Sequence, residues 1–159
     1  MKLSHGKLIA ISGLIWFAIG VYLLRLGLHL LTTSVEGAGY PLVSILKPYL
    51  LTIENAAILL IICGMLIGYF KGRFVLGKSA KRGVDRIRSF PNPTSIANIY
   101  SAKYYILLGT MVAMGMSIKY MGFDSDIRGF VDVIIGSALI NGSMIYFKLI
   151  QAPNKEVSP

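Results

Sequence analysis

Apolar residues fill four blocks of the chain, approximately 8–31, 51–70, 104–121 and 129–149, and polar residues gather between them. Each block is near the ~20 residues with which an α-helix crosses ~30 Å of hydrocarbon. A soluble bundle would interleave polar residues along its outer faces. Here the run Ala56 to Phe70 carries no charge at all. The pattern predicts an all-α integral membrane four-helix bundle. It divides the chain into a first hairpin over 1–70, a linker over 71–103, a second hairpin over 104–149 and a tail over 150–159 expected to be disordered.

Small residues punctuate the apolar blocks at regular intervals. Gly6, Gly13, Gly20 and Gly27 recur every seven residues, and Ala102, Gly109, Gly115 and Gly122 repeat the ladder about 95 residues later. The first two rungs match at a shift of 96 and the last two at 95, as a single deletion in the second copy would produce. We read this as an internal duplication of one helical hairpin. Small residues seven apart form a flat seam against which another helix can lie closely in lipid. Gly64 and Gly68 add a G-x-x-x-G pair in the second block, where the same close approach is expected. Such seams suit either a tight bundle or a homo-oligomer. The duplicated first block also argues against a cleaved signal peptide, because it has a full-length partner in the third.

Composition supports the membrane reading. The chain is 55% hydrophobic and 14% charged, with a mean hydropathy of +0.67; soluble domains carry about 25% charged residues. The net charge of +9 raises the question of nucleic acid, but its distribution answers it differently. The linker 71–103 holds Lys71, Arg73, Lys78, Lys81, Arg82, Arg86, Arg88 and Lys103 against one acid, Asp85. By the positive-inside rule that linker is cytoplasmic, and both termini then lie inside. Each hairpin passes in, out and in again, so the two copies share one orientation and are related by an axis along the membrane normal.

Within the linker, Phe74, Val75, Leu76, Ala80, Val84 and Ile87 recur at helical intervals among the basic residues. Such a segment is expected to lie in the membrane interface, its cations on anionic headgroups. Pro91-Asn92-Pro93 should end it. The second helix of each hairpin closes on the same tripeptide, Tyr69-Phe70-Lys71 and Tyr146-Phe147-Lys148, an aromatic and basic anchor for the inner interface. Trp16 lies too deep for such a belt and is expected to pack on a neighbouring helix.

Ionisable groups inside the apolar blocks are the candidate site. Arg25 and Lys119 sit near the outer ends of the outgoing helices, and Glu54 and Asp132 near the starts of the returning ones. They are expected to close each hairpin as ion pairs, Arg25–Glu54 and Lys119–Asp132. The alternative is a polar vestibule of a small transporter or channel, with Asn141 as the deepest polar group. An amide at that depth is expected to bond a facing helix.

The residues give little chemistry. Cys63 is the single cysteine, so it has neither a disulfide partner nor a metal-ligand companion. No H-E-x-x-H, P-loop or G-x-S-x-G occurs. Neither cofactor, metal site nor catalytic residue is indicated. The run Gly13-x-x-Trp16-x-x-x-Gly20, with Phe74-x-x-x-Lys78-Ser79-Ala80-x-Arg82-x-x-x-Arg86-Ile87, resembles a group of small uncharacterised bacterial membrane proteins. That resemblance implies a bacterial inner membrane and no activity. The sequence therefore points to a non-enzymatic multi-pass protein that self-associates and meets anionic lipid or a protein partner through its linker.

Overall fold

The last helix, α5 (Ser125–Gln151), is the post on which the other long helices pack. Before it come α1 (His5–Thr33), α2 (Pro41–Leu46), α3 (Ile53–Lys71) and α4 (Gly77–Arg88), with a π-helical turn over Gly72–Leu76 joining the last two. The computed structural model describes residues 2–33, 41–46, 48–50, 52–95, 113, 117 and 120–151. Apart from a two-residue antiparallel pairing of β1 (Lys2–Leu3) with β2 (Thr94–Ser95), the described fold is helical. Three helices among the described residues are long and apolar enough to cross a membrane: His5–Thr33, Ile53–Arg88 and Ser125–Ile150. The predicted third span, 104–121, lies outside the described residues except for Ala113, Ser117, Tyr120 and Met121, and the first three of these are helical and exposed. Ala102, Gly109, Gly115 and Lys119 lie outside them too.

The seven-residue ladder of α1 faces a second one on α5. A Cβ added at Gly27 would lie 2.6 Å from the Gly129 carbonyl oxygen, and one at Gly20 would lie 2.9 Å from that of Gly136. Gly13 meets Tyr146 and Phe147. The order of these contacts makes α1 and α5 antiparallel. Along α5 the buried positions Gly129, Asp132, Gly136, Leu139, Ser143 and Tyr146 alternate by three and four. That is the spacing of a coiled-coil seam. The sequence points to self-association through such seams, but the rungs Gly13, Gly20 and Gly27 are met from within the chain. Gly6 has nothing within 4 Å of its Cβ position, so the ladder's first rung stands outside the contact. Gly122, the expected counterpart of Gly27, is a turn residue with φ +69° and open surroundings. A left-handed backbone of this kind commonly ends a helix, so the two glycines have different tasks.

α3 packs on another side of α5 and runs parallel to it: Gly64 meets Val133, Gly68 meets Ile134 and Ser137, and Gly72 meets Ala138 and Asn141. The start of α3 is fixed by Thr52, whose side chain accepts from the Asn55 N–H at 3.3 Å, with Glu54 in the first turn. Lys71 does not end it. Gly72 and Gly77 keep right-handed helical angles, and the chain continues helical to Arg88. Buried residues fall every four positions from Ala56 to Val84. A spacing of four drifts around a helix of 3.6 residues per turn. The wider π turn absorbs part of that drift and keeps the later buried positions aimed at α5.

The apolar side of α4 differs from expectation. Ala80, Val84 and Ile87 are fully or almost fully buried in one cluster with Leu8, Ile9, Trp16, Leu139 and Tyr146. Only Phe74 and Val75, each 60% exposed, remain outside. The linker helix therefore covers the ends of α1 and α5 with the face the sequence assigned to lipid. For the same reason Tyr146 is no belt residue: it is buried edge-on to Trp16, ring centroids 5.4 Å apart. Its counterpart Tyr69 stays exposed. Broad apolar faces of α1 and α3, including Leu14, Ile15, Tyr22, Ile58, Ile62 and Leu66, are also uncovered. Apolar patches of this extent suit lipid rather than water.

Because the close contacts of Gly27 and Gly136 are to backbone atoms, Gly27→Ala and Gly136→Ala should each destabilise the protein by about 1–3 kcal/mol. Alanine's higher helix propensity predicts the opposite sign. Denaturant titration in detergent micelles, with Gly6→Ala as control, distinguishes the two. Unchanged midpoints for both would contradict the tightness of the seam.

Candidate functional site

Where α3 passes into α4, the two helical segments and the last turns of α5 flank an open groove of about 730 Å³. Tight contact brings it into being: Gly72 lies against Ala138 and Asn141, and Gly77 against Ile145. Beyond those contacts the side chains of Arg73, Lys78, Lys81 and Lys148 border the opening. All four are exposed, and no carboxylate lines the groove. Arg73 is held in place by its Nη1, which donates to the Tyr69 hydroxyl at 2.9 Å. Phe74, Met144, Ile145 and Leu149 supply an apolar wall, and Phe74 stacks on Phe70 with ring planes 7° apart.

Of the eight basic linker residues Lys103 lies outside the described residues, and the other seven separate by position. Arg73, Lys78 and Lys81 line the groove, while Lys71, Arg82 and Arg86 are exposed outside it. Arg86 lies 5.8 Å from the centre of the Phe90 ring. Arg88 turns inward and donates from Nη2 to the Leu149 carbonyl at 2.8 Å. A cation there satisfies a terminal carbonyl and complements the negative end of α5. Sequence reasoning assigned Lys148 and Tyr69 only to an interface belt. Their convergence with the linker cations depends on α3 and α5 packing side by side, which no local pattern shows.

The intramembrane candidates do not form one constellation. Arg25 and Glu54 are exposed, and the ion pair found among the described residues is Arg128–Asp132, 4.0 Å apart within α5. The expected Arg25–Glu54 bridge is therefore absent among the described residues, and Lys119–Asp132 falls outside them. Asp132 is 9% exposed, and its Oδ2 accepts no hydrogen bond. Asn141 lies nine residues further along α5, about 13 Å away by helical rise. Its Nδ2 donates to the Ser137 carbonyl of its own helix at 2.8 Å. The bond across to a facing helix comes instead from Ser137, whose hydroxyl donates to the Met65 carbonyl at 3.1 Å beside Gly68. Glycine at position 68 lets the short hydroxyl reach that backbone, which the amide was expected to do.

At the opposite end, Asp126 has a role that its sequence context did not reveal. It is fully buried, and Oδ2 accepts from the Leu42 and Val43 N–H groups at 2.8 and 3.2 Å. These are otherwise unpaired donors in the first turn of α2, which opens at Pro41. The only local signal was a proline followed by apolar residues; the partner lies 84 positions away. Among the described residues, no group of three His, Cys, Asp or Glu side chains is placed to hold a metal ion.

Among the described residues these features define a helical protein with three helices long and apolar enough to cross a bilayer and a cationic groove at one end of them. No protein-family model, curated protein or solved structure matches the chain.

Asp126→Ala should leave the two α2 donors unpaired, at a cost of about 1–2 kcal/mol. The expected readout is faster amide hydrogen exchange across residues 41–46. Unchanged exchange there would show that the cap does not hold α2.

Proposed function

We propose that the chain is a non-enzymatic multi-pass protein of a bacterial inner membrane, with four spans and both termini on the cytoplasmic side, that engages anionic lipid through the basic surface of α4. The observation that carries this reading is the segregation of charge along the helices. Lys7, the α4 cations and Lys148 share one end with Asp85 as the described acid there, while Glu54, Asp124, Asp126 and Asp132 outnumber Arg25 and Arg128 toward the other. The parallel course of α3 and α5 supports a further crossing between them, because a chain that has crossed once must return before crossing in the same sense. Residues 104–121 are apolar enough to do so. Descent from a duplicated hairpin accounts for the matched glycine ladders. Contact between copies would have to use a face other than the α1–α5 seam, and a protein partner on the basic surface would compete with lipid for the same cations.

The orientation is tested by cysteine labelling in a Cys63→Ser background. Asn55→Cys should react with an impermeant maleimide in intact cells, and Lys81→Cys only after permeabilisation. The reverse pattern would overturn the proposed topology.

One observation favours a second reading, a small transporter: Asp132 is buried in the seam with an oxygen that accepts no hydrogen bond. Buried acids in membrane helices often serve proton or ion pathways. Reconstituted protein would then carry protons into vesicles loaded with a pH-sensitive dye, and Asp132→Asn would abolish that flux while remaining folded. Absence of flux in the wild-type protein removes proton coupling from consideration.

A further inference from the structure

We infer that the groove between α4 and the end of α5 is a discrete site for one anionic glycerophospholipid, with its phosphodiester among Arg73, Lys78, Lys81 and Lys148 and an acyl chain along Phe74 and Met144. This deepens the proposed lipid contact and rests on it. Four cations border a single concave surface that has no carboxylate in its lining. Like charges gathered without a protein counter-charge repel one another, and an anion in their midst relieves that repulsion. Arg73 is oriented by the Tyr69 hydroxyl, which leaves the remaining N–H groups of its planar guanidinium for phosphate oxygens.

The apolar part of the lining sets the class of anion. Phe74, Met144, Ile145 and Leu149 would gain nothing from a small hydrophilic phosphate, yet they suit the glycerol backbone and upper acyl chain of a lipid. Their position continues this fit. Phe70 stacks on Phe74 and is itself exposed, so the apolar wall extends from the groove onto the outer surface of α3. The groove cations meet the apolar surface at one end of the long helices, where a lipid phosphodiester would lie if these helices cross the bilayer. The volume of about 730 Å³ accommodates a headgroup and part of a chain, not an entire lipid. The rest of the lipid would stay in the leaflet.

A general basic surface and a built site predict different results for charge changes of equal size. The double variant Lys78→Gln/Lys148→Gln removes two groove cations, and Lys71→Gln/Arg82→Gln removes two exposed cations outside it. Native mass spectrometry of detergent-solubilised protein titrated with phosphatidylglycerol or phosphatidylcholine reads the occupancy directly. Circular dichroism confirms that both variants are folded. The wild-type protein should retain one phosphatidylglycerol per chain in preference to phosphatidylcholine. The groove variant should lose affinity tenfold or more, and the outer variant should stay within about twofold.

Equal losses in the two variants would overturn the discrete site and leave the general electrostatic contact standing. Equal retention of both lipids by the wild-type protein would overturn both. Displacement of phosphatidylglycerol by millimolar inorganic phosphate or glycerol 3-phosphate would assign the groove to a soluble phosphate compound and overturn the lipid as occupant.

Discussion

The close approach of backbone to backbone along α5 sets the rest of the structure. Two long helices reach this one at different sides, and at both the contact is with main-chain atoms. In lipid no hydrophobic gain drives apolar helices together, so packing must come from contact area and short polar bonds. Glycine provides the area by removing the Cβ that would hold the helices apart. The Ser137 hydroxyl then reaches the Met65 carbonyl because Gly68 lets the two helices come within its range.

The two seams wind in opposite senses. On the α1 side the mean spacing is 3.5 residues, just below the helical period, and on the α3 side it is four, above it. A single helix can serve both partners only if they diverge along its length. α1 keeps its register from Gly27 to Gly13 without interruption. α3 does not, and after Gly72 its path widens through the π turn. There α4 leans toward α1 and covers Trp16 and Tyr146. The linker's amphipathic face is consumed by this step, which explains why helical periodicity found the face but not its partner. An isolated amphipathic helix and one folded over a bundle end have the same pattern of apolar residues.

The sequence showed three long helices, the close contacts at Gly13, Gly20, Gly27, Gly64 and Gly68, and the clustering of positive charge, because each has a local period or composition. It could not show which helix meets which. The ladder on α1 was visible, but its complement on α5, Gly129 and Gly136, has only two glycine rungs and so forms no ladder of comparable length. Lys148 looked like an anchor because nothing local relates it to Lys78. Asp126 gave no signal because its partners, the N–H groups of Leu42 and Val43, are distant in sequence. In each case the missing information was a long-range pairing, which tertiary packing alone determines.

The groove follows from the same packing. At Gly72 the close neighbours on α5 include backbone atoms of Ala138, and at Gly77 the neighbour is the tip of the Ile145 side chain. Long cationic side chains of α4 and α5 then border the groove beside these contacts. The negative end of the α5 dipole lies here and is met by Arg88 at the Leu149 carbonyl. That dipole corresponds to only about half an elementary charge, and Arg88 already complements it. The four groove cations are exposed, so solvent screens part of their repulsion, but no carboxylate in the lining balances them. An anion in the proposed site would relieve what remains. The glycines that bring α3 onto α5 thus produce, where they end, both the opening and the unbalanced charge that a lipid phosphate would fill.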